Sequence, residues 1–146
     1  RDTYGISKSL GEPRKSITIR SSIIGEESVN KMSLLDVVRS HSGNTMFGYT
    51  NHIWNGMTCL EAARLIKSII CTPSLQYEGV RHFYSNNVSK YDLISIINEV
   101  YSLGIKVIPH LANDSVDRTL ISIYEGGQIK KSIKDQVEEQ MIFWKL

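Results

Sequence analysis

Helical spacing of apolar residues is clearest in two stretches of the chain. They begin at Thr58 and Ser89, whose hydroxyl side chains suit a helix N-cap. Glu61 follows Thr58 by three residues, which gives the first stretch the form of a capping box. Gly104 is a typical residue at the end of a helix and ends the second stretch. The periodicity predicts their core-facing residues: Leu60, Ala63, Ile66 and Ile70 in the first helix, and Leu93, Ile96, Ile97, Val100 and Tyr101 in the second.

β-branched and alternating residues predict the strands between these helices. The stretch Ser16–Ile24 predicts one buried strand that ends at Gly25. Alternation of strands and helices along the chain favours an α/β fold with some parallel pairing, although only two strands suit a central sheet. Other predicted strands are Thr45–Phe47, His52–Trp54, Gly79–Ser85 and Ile105–Pro109, and other predicted helices are Tyr4–Glu12, Ser33–Arg39 and Ile133–Phe143.

Composition indicates an ordinary soluble domain. The chain has 146 residues, 41% hydrophobic and 22% charged, with a net charge of +2 and with acids and bases intermixed. This balance gives no basis for nucleic-acid binding, and no apolar run reaches the length of a membrane span. We expect no metal site, because the cysteines and histidines lack ligand spacing: Cys59, Cys71, His41, His52, His82 and His110. We also expect a cytoplasmic protein, in which the two cysteines are buried free thiols.

The candidate chemistry lies near the start of the printed sequence. Tyr4 and Lys8 are four residues apart in a predicted helix, so they project from one face. A phenol is a weak acid at neutral pH, and an adjacent ammonium group favours its ionised form. Such a pair can exchange a proton with a carbonyl or alcohol oxygen. The spacing alone is a weak signal, and an exposed helical pair is the alternative interpretation.

Longer segments carry a family resemblance. "YGISKSLGE" and "SITIRSSIIGEE" resemble the extended short-chain dehydrogenase/reductases, and "WNGMTCLEAARLI", "GVRHFYSNNVSKYDLISIINEV" and "DRTL" resemble later segments of that family in the same order. The resemblance covers nearly the whole chain. It is closest to reductases and epimerases of nucleotide-linked deoxysugars, such as the dTDP-4-dehydrorhamnose reductases. The residues that carry the first match are Tyr4, Lys8, Gly11, Glu12, Arg20, Ser22 and Gly25.

The resemblance implies the C-terminal half of such an enzyme. The chain has no Gly-rich dinucleotide fingerprint after a strand. The implied fold is α/β, the C-terminal part of a Rossmann-type parallel sheet plus a small α/β substrate-binding lobe. NADP or NAD would then be bound mainly by an N-terminal Rossmann half. The implied segments are a catalytic helix and late Rossmann strand (1–28), a substrate-binding segment (29–78), the last Rossmann strand (79–88) and a C-terminal substrate-binding lobe (89–146).

The resemblance also implies roles for individual residues. Tyr4 would be the proton donor, and Lys8 would bind the cofactor ribose. Ser22, Ile23 and Ile24 would meet the nicotinamide, although an ordinary strand end is an equal alternative. The implied substrate-binding residues are Gly25, Lys31, Met32, Trp54, Asn55 and Arg118, with the arginine suited to bidentate binding of a diphosphate.

Four functions remain open at this point. The first is an NAD(P)-dependent reductase of a nucleotide-linked 4-keto-deoxysugar. The others are a nucleotide-sugar epimerase, a non-catalytic nucleotide-sugar binding module that docks to a separate Rossmann half, and a non-catalytic interaction domain that kept only the fold. A homodimer is a family expectation. The sequence does not distinguish the sugar, the nucleotide, or NADH from NADPH.

Overall fold

The computed structural model describes residues 3–13, 15–72 and 79–145. Helices and strands alternate along these residues. The helices are α1 (Thr3–Leu10), α2 (Leu34–Ser40), α3 (Cys59–Cys71), α4 (Lys90–Tyr101) and α5 (Ile133–Phe143). The strands are β1 (Ile17–Arg20), β2 (Ile23–Ile24), β3 (Thr45–Tyr49), β4 (His52–Trp54), β5 (Met57–Thr58), β6 (Gly79–His82), β7 (Val88–Ser89), β8 (Lys106–His110) and β9 (Val116–Arg118).

Parallel pairing dominates the described strands. β1 pairs with β6, β2 with β5 and β3 with β8, in each case in parallel. β4 lies between β7, to which it is antiparallel, and β9, to which it is parallel. Sequence-distant strands are therefore brought together with helices between them, which confirms the predicted α/β class.

The single strand predicted for Ser16–Ile24 is wrong in two respects. The chain changes its strand partner within it: the Arg20 carbonyl accepts from the Phe83 amide (3.0 Å), whereas the Ser22 carbonyl accepts from the Met57 amide (2.8 Å). The first part, β1, contains no buried residue, although Ile24 in β2 is buried. A run of β-branched residues does not reveal such a change, because it depends on the partner strands.

The packing face of α3 also differs from the prediction. The apolar residues of α3 that pack in the cluster around Met57 and Phe83 are Ala62, Leu65 and Ile69. Of the predicted residues, Leu60 is half-buried, whereas Ala63, Ile66 and Ile70 are exposed, the two isoleucines by 45% and 74%. The helix carries apolar residues on more than one face, so spacing alone did not select the face. In α4 the prediction is confirmed, because Leu93 and Ile97 are buried and its other predicted residues pack against them.

Hydroxyl caps begin both of these helices, as predicted. The Thr58 hydroxyl accepts from the Glu61 amide (3.3 Å), but the return bond of a capping box is replaced: the Thr58 amide donates to Gln136 (3.1 Å). The Glu61 carboxylate instead accepts from Lys131 (3.3 Å). At α4 the box is complete between Ser89 and Asp92.

Two hydrophobic clusters form the described core. The larger surrounds α4 and the smaller joins α3 to the β1–β6 pair. Cys59 and Cys71 are free, as predicted, but exposed rather than buried. Within residues 3–13, 15–72 and 79–145, no helix is long and apolar enough to cross a membrane. The same residues hold no cluster of three or more histidine, cysteine or acidic side chains suited to a metal ion.

Candidate active site

Helix α1 forms one wall of an open cleft of about 920 Å³. Tyr4 and Lys8 both line it, and the lysine ammonium lies 5.5 Å from the centre of the tyrosine ring. The spacing therefore brings the two side chains together as predicted. Tyr4 is 70% exposed, so its phenol is accessible to a ligand in the cleft.

An ion pair ties the end of α1 to β1. The Arg20 guanidinium donates two hydrogen bonds to the Glu12 carboxylate, at 2.6 and 2.7 Å. This bidentate contact lowers the pKa of the Glu12 carboxyl. Helix α1 has no buried residue, so this ion pair is one of the few contacts that orient it.

A second, more enclosed cavity of about 460 Å³ opens beside the cleft. Ser22 and Arg118 line both spaces and so mark where they meet. The apolar wall of the cavity includes Ile24 and Trp54, and the tryptophan indole donates to the Ser22 hydroxyl (2.7 Å). Of the predicted site residues, the structure thus groups Tyr4, Lys8, Ser22, Ile24, Trp54 and Arg118.

The sequence reasoning missed ring and cationic residues that line the same cavity. Tyr49 and His52 also line it, with their rings stacked at 4.4 Å. The Lys90 ammonium lies 5.6 Å from the centre of the tyrosine ring. The closely spaced ring residues of the segment "FGYTNHIW" were the sequence signal that could have indicated them. Only the turn between β3 and β4 makes them neighbours, and Lys90 arrives from a distant helix.

Other predicted residues line neither space. Lys31 and Met32 are exposed in the loop before α2, and Ile23 is 52% exposed. Gly25 is buried against α3, where a Cβ atom would lie 2.2 Å from the sulfur of Cys59. This close approach explains the glycine through packing.

Asn55 is buried, and its side chain makes hydrogen bonds with the backbone of another segment. It is 2% exposed, and its amide group donates to the Leu120 carbonyl (2.9 Å) and accepts from the Leu120 amide (2.8 Å). Its carbonyl accepts from the Ser85 amide (2.7 Å). The side chain of Asn55 therefore holds the chain segment that carries Arg118 through one donated and one accepted hydrogen bond.

Together, the fold and the site define a class: an α/β domain of mostly parallel strands with a Tyr–Lys pair beside an apolar, cation-edged cavity. Comparison with known proteins agrees with the fold in that definition and does not test the site. No protein-family model and no curated protein matches the sequence.

Several solved structures of enzymes match the fold. The dTDP-4-dehydrorhamnose reductase of Bacillus anthracis, solved with NADP, is 15% identical with a TM-score of 0.71, over 96% of this chain and 51% of that one. The reductase of the same name from Clostridium acetobutylicum is 15% identical with a TM-score of 0.66, over 89% and 49%. The Bordetella bronchiseptica enzyme WbmG, solved with NAD and UDP, is 12% identical with a TM-score of 0.63, over 98% and 47%.

These likenesses show the fold alone. The chain spans about half the length of the solved structures that it matches. It shares with them a mixed α/β, Rossmann-like reductase fold, of which it covers a part. Their cofactors and reactions belong to those proteins.

Proposed function

We propose that this chain is the substrate-side half of an NAD(P)-dependent reductase that acts on a nucleotide-linked 4-keto-deoxysugar. The observation that carries the proposal is that the two spaces are adjacent. The cleft with Tyr4 and Lys8 and the cavity edged by Tyr49 and His52 share Arg118 in their walls. A nucleoside diphosphate sugar has matching parts: a carbonyl, a diphosphate and a base.

Each part of that ligand has a chemical counterpart in the site. The Tyr4 phenol would donate a proton to the carbonyl oxygen as the alcohol forms. Arg118 would bind the diphosphate, since a guanidinium makes paired hydrogen bonds to phosphate oxygens. The stacked Tyr49–His52 pair, with Lys90 beside it, would pack against the base.

The residues of the cleft also fit a nicotinamide cofactor. An accessible hydroxyl and an ammonium group in one cleft, Tyr4 and Lys8, are suitable donors for a ribose. When bound, reduced NADP or NAD supplies the hydride that a carbonyl requires. Lys8 would orient the ribose through its ammonium group.

A dinucleotide-binding half is the partner that we propose, and β1 offers it an edge. The carbonyls of Ser16 and Arg20 bond to the β6 side, so the backbone groups of Ile17 and Ile19 point the other way. No strand among the described residues pairs with that second edge. A parallel strand from the Rossmann half would continue the sheet there.

Loss of absorbance at the reduced-nicotinamide band tests the function. The assay uses the natural polypeptide that contains these residues, with NADPH or NADH and a dTDP- or UDP-linked 4-keto-6-deoxyhexose. We expect oxidation that is abolished in Tyr4→Phe, because the ring remains and only the proton donor is lost. Tyr124→Phe is the matched control, since Tyr124 lines neither space.

The other results separate the alternatives. Oxidation unchanged in Tyr4→Phe would contradict the role of the phenol. Absence of oxidation, with the nucleotide sugar still bound, would favour the epimerase or the non-catalytic binding module. Absence of both turnover and binding would refute the proposal as a whole.

A further inference from the structure

In the described part of the chain, three asparagine side chains make the same bidentate contact with the backbone of another residue, seven, 61 or 65 positions away. In each, the side-chain amide donates to a carbonyl and accepts from the amide of that same residue. The pairs are Asn51 with Ala112 (2.8 and 3.1 Å), Asn55 with Leu120 (2.9 and 2.8 Å), and Asn98 with Ile105 (3.0 and 2.9 Å). We call each contact a clamp.

Two of the clamps hold the ends of one segment. Asn51 and Asn55 flank strand β4, and their partners Ala112 and Leu120 flank strand β9. Residues 112–120, which we call the strap, are thereby fastened at both ends beside β4. The backbone adds a bond from the Val116 amide to the Asn51 carbonyl (3.1 Å).

The strap has little else to hold it. None of its residues is buried, so hydrophobic packing contributes little to its position. β9 has three residues and pairs on one side only among the described strands. An edge strand of that length is weak without support. The clamps are therefore the main fixed points of the strap.

Arg118 lies within the strap, opposite Trp54 in the pairing of β4 with β9. No carboxylate in the described part of the chain forms an ion pair with it, and it lines both spaces of the candidate site. Its position depends on its backbone, because no partner holds the guanidinium itself among those residues.

We propose that Asn51 and Asn55 are positioning residues. Their clamps fix the strap, and the strap holds the Arg118 guanidinium where it can bind an anion between the two spaces. That the anion is a nucleoside diphosphate rests on the proposed function. The asparagines act through Arg118 and need not touch the ligand.

Amide hydrogen exchange on the intact chain tests the mechanical part of this inference. In Asn55→Ala we expect exchange at the amides of residues 116–120 to become about tenfold faster or more, since two hydrogen bonds that hold the strap are lost. Asn98→Ala removes an identical clamp away from the site, and should leave those amides unchanged. Equal protection of the strap in the two variants would overturn the inference.

Asn51→Ala provides a second variant, because Asn55 is buried and its loss could prevent folding. Asn51 and Asn98 are both half-buried, so their alanine variants are closely matched. We expect Asn51→Ala to raise exchange in the strap while Asn98→Ala does not. The same exchange rate in both would contradict the proposal even if Asn55→Ala cannot be purified.

Binding of dTDP and UDP tests the link to Arg118. Quenching of Trp54 fluorescence, in a Trp144→Phe background, reports the dissociation constant from the cavity wall. We expect Arg118→Ala and Asn55→Ala each to weaken binding by about tenfold or more, and Asn98→Ala to leave it unchanged. Adding Asn55→Ala to Arg118→Ala should cause no further loss, because the asparagine acts through the arginine.

The results distinguish the two proposals. Fully additive losses in the double variant would refute positioning through Arg118 while leaving nucleotide binding intact. If neither nucleotide binds the unsubstituted chain or the polypeptide that contains it, the proposed function fails. Hydrogen exchange then still decides whether the clamps hold the strap.

Discussion

Replacement of Gln136 by leucine should destabilise the fold, although it puts an apolar side chain of similar size into a buried position. Gln136 is 1% exposed and accepts from the Thr58 amide (3.1 Å). It donates to the Ser85 hydroxyl (2.7 Å) and the Lys131 carbonyl (2.9 Å). Three lost hydrogen bonds at about 1 kcal/mol each predict a loss of about 3 kcal/mol. Thr58 is 0% exposed, so water cannot replace the bond to its amide.

Gln140→Leu is the matched control on the same helix. Gln140 is also 1% exposed, but its bond from the Leu60 amide is long, at 3.4 Å. The gain from burying leucine is common to both variants, so it cancels in the comparison. Guanidinium unfolding followed by circular dichroism should show Gln136→Leu less stable than Gln140→Leu by about 2 kcal/mol. Equal free energies of unfolding at equal m-values would refute this reasoning.

Two further perturbations have defined outcomes. Hydrogen bonds from the Glu27 amide and the Ser33 hydroxyl lower the pKa of Asp36. The contribution of these hydrogen bonds to the stability of the fold is therefore present above pH ~4 and is lost as pH falls through the lowered pKa. Calorimetry should show Asp36→Asn less stable than the unsubstituted chain at pH 7, and equally stable in strong acid. Gly25→Ala should cost about 2 kcal/mol in thermal or denaturant unfolding, because the new methyl group meets the Cys59 sulfur. Adding Cys59→Ala should recover most of this loss, and no recovery would contradict the packing argument.

Local signals allowed most of the helices and strands to be predicted. Thr58 and Ser89 accept from amides in the first turn of their own helices, so their neighbours in sequence suffice to identify them. The buried face of α3 could not be found in this way. That face is determined by contacts with the β1–β6 pair and β5, and the positions of these strands follow from pairings between residues far apart in sequence.

The same distinction between local and long-range contacts applies to the candidate site. The adjacency of Tyr4 and Lys8 follows from spacing within one helix, and the structure has it. Their catalytic role stays a prediction. The stacking of Tyr49 on His52 depends on the turn after β3, which the closely spaced rings in the sequence do not specify. The clamp of Asn55 on Leu120 joins residues 65 positions apart, and no local pattern carries such a contact.

Support is unevenly distributed between the two sides of the candidate site. Ten buried residues cluster around α4 in the described core, whereas three form the cluster under α3 and β1. The helix with Tyr4 has no buried residue, while the cavity beside it is walled by Ile24 and Leu93 from the larger cluster. The well-packed wall suits the proposed nucleotide site, whereas Tyr4, the proposed proton donor, lies on a helix with no buried residue. Because catalysis requires a donor held within a narrow range of positions, we expect nucleotide binding to belong to this chain and turnover to require the half that covers α1 and the edge of β1.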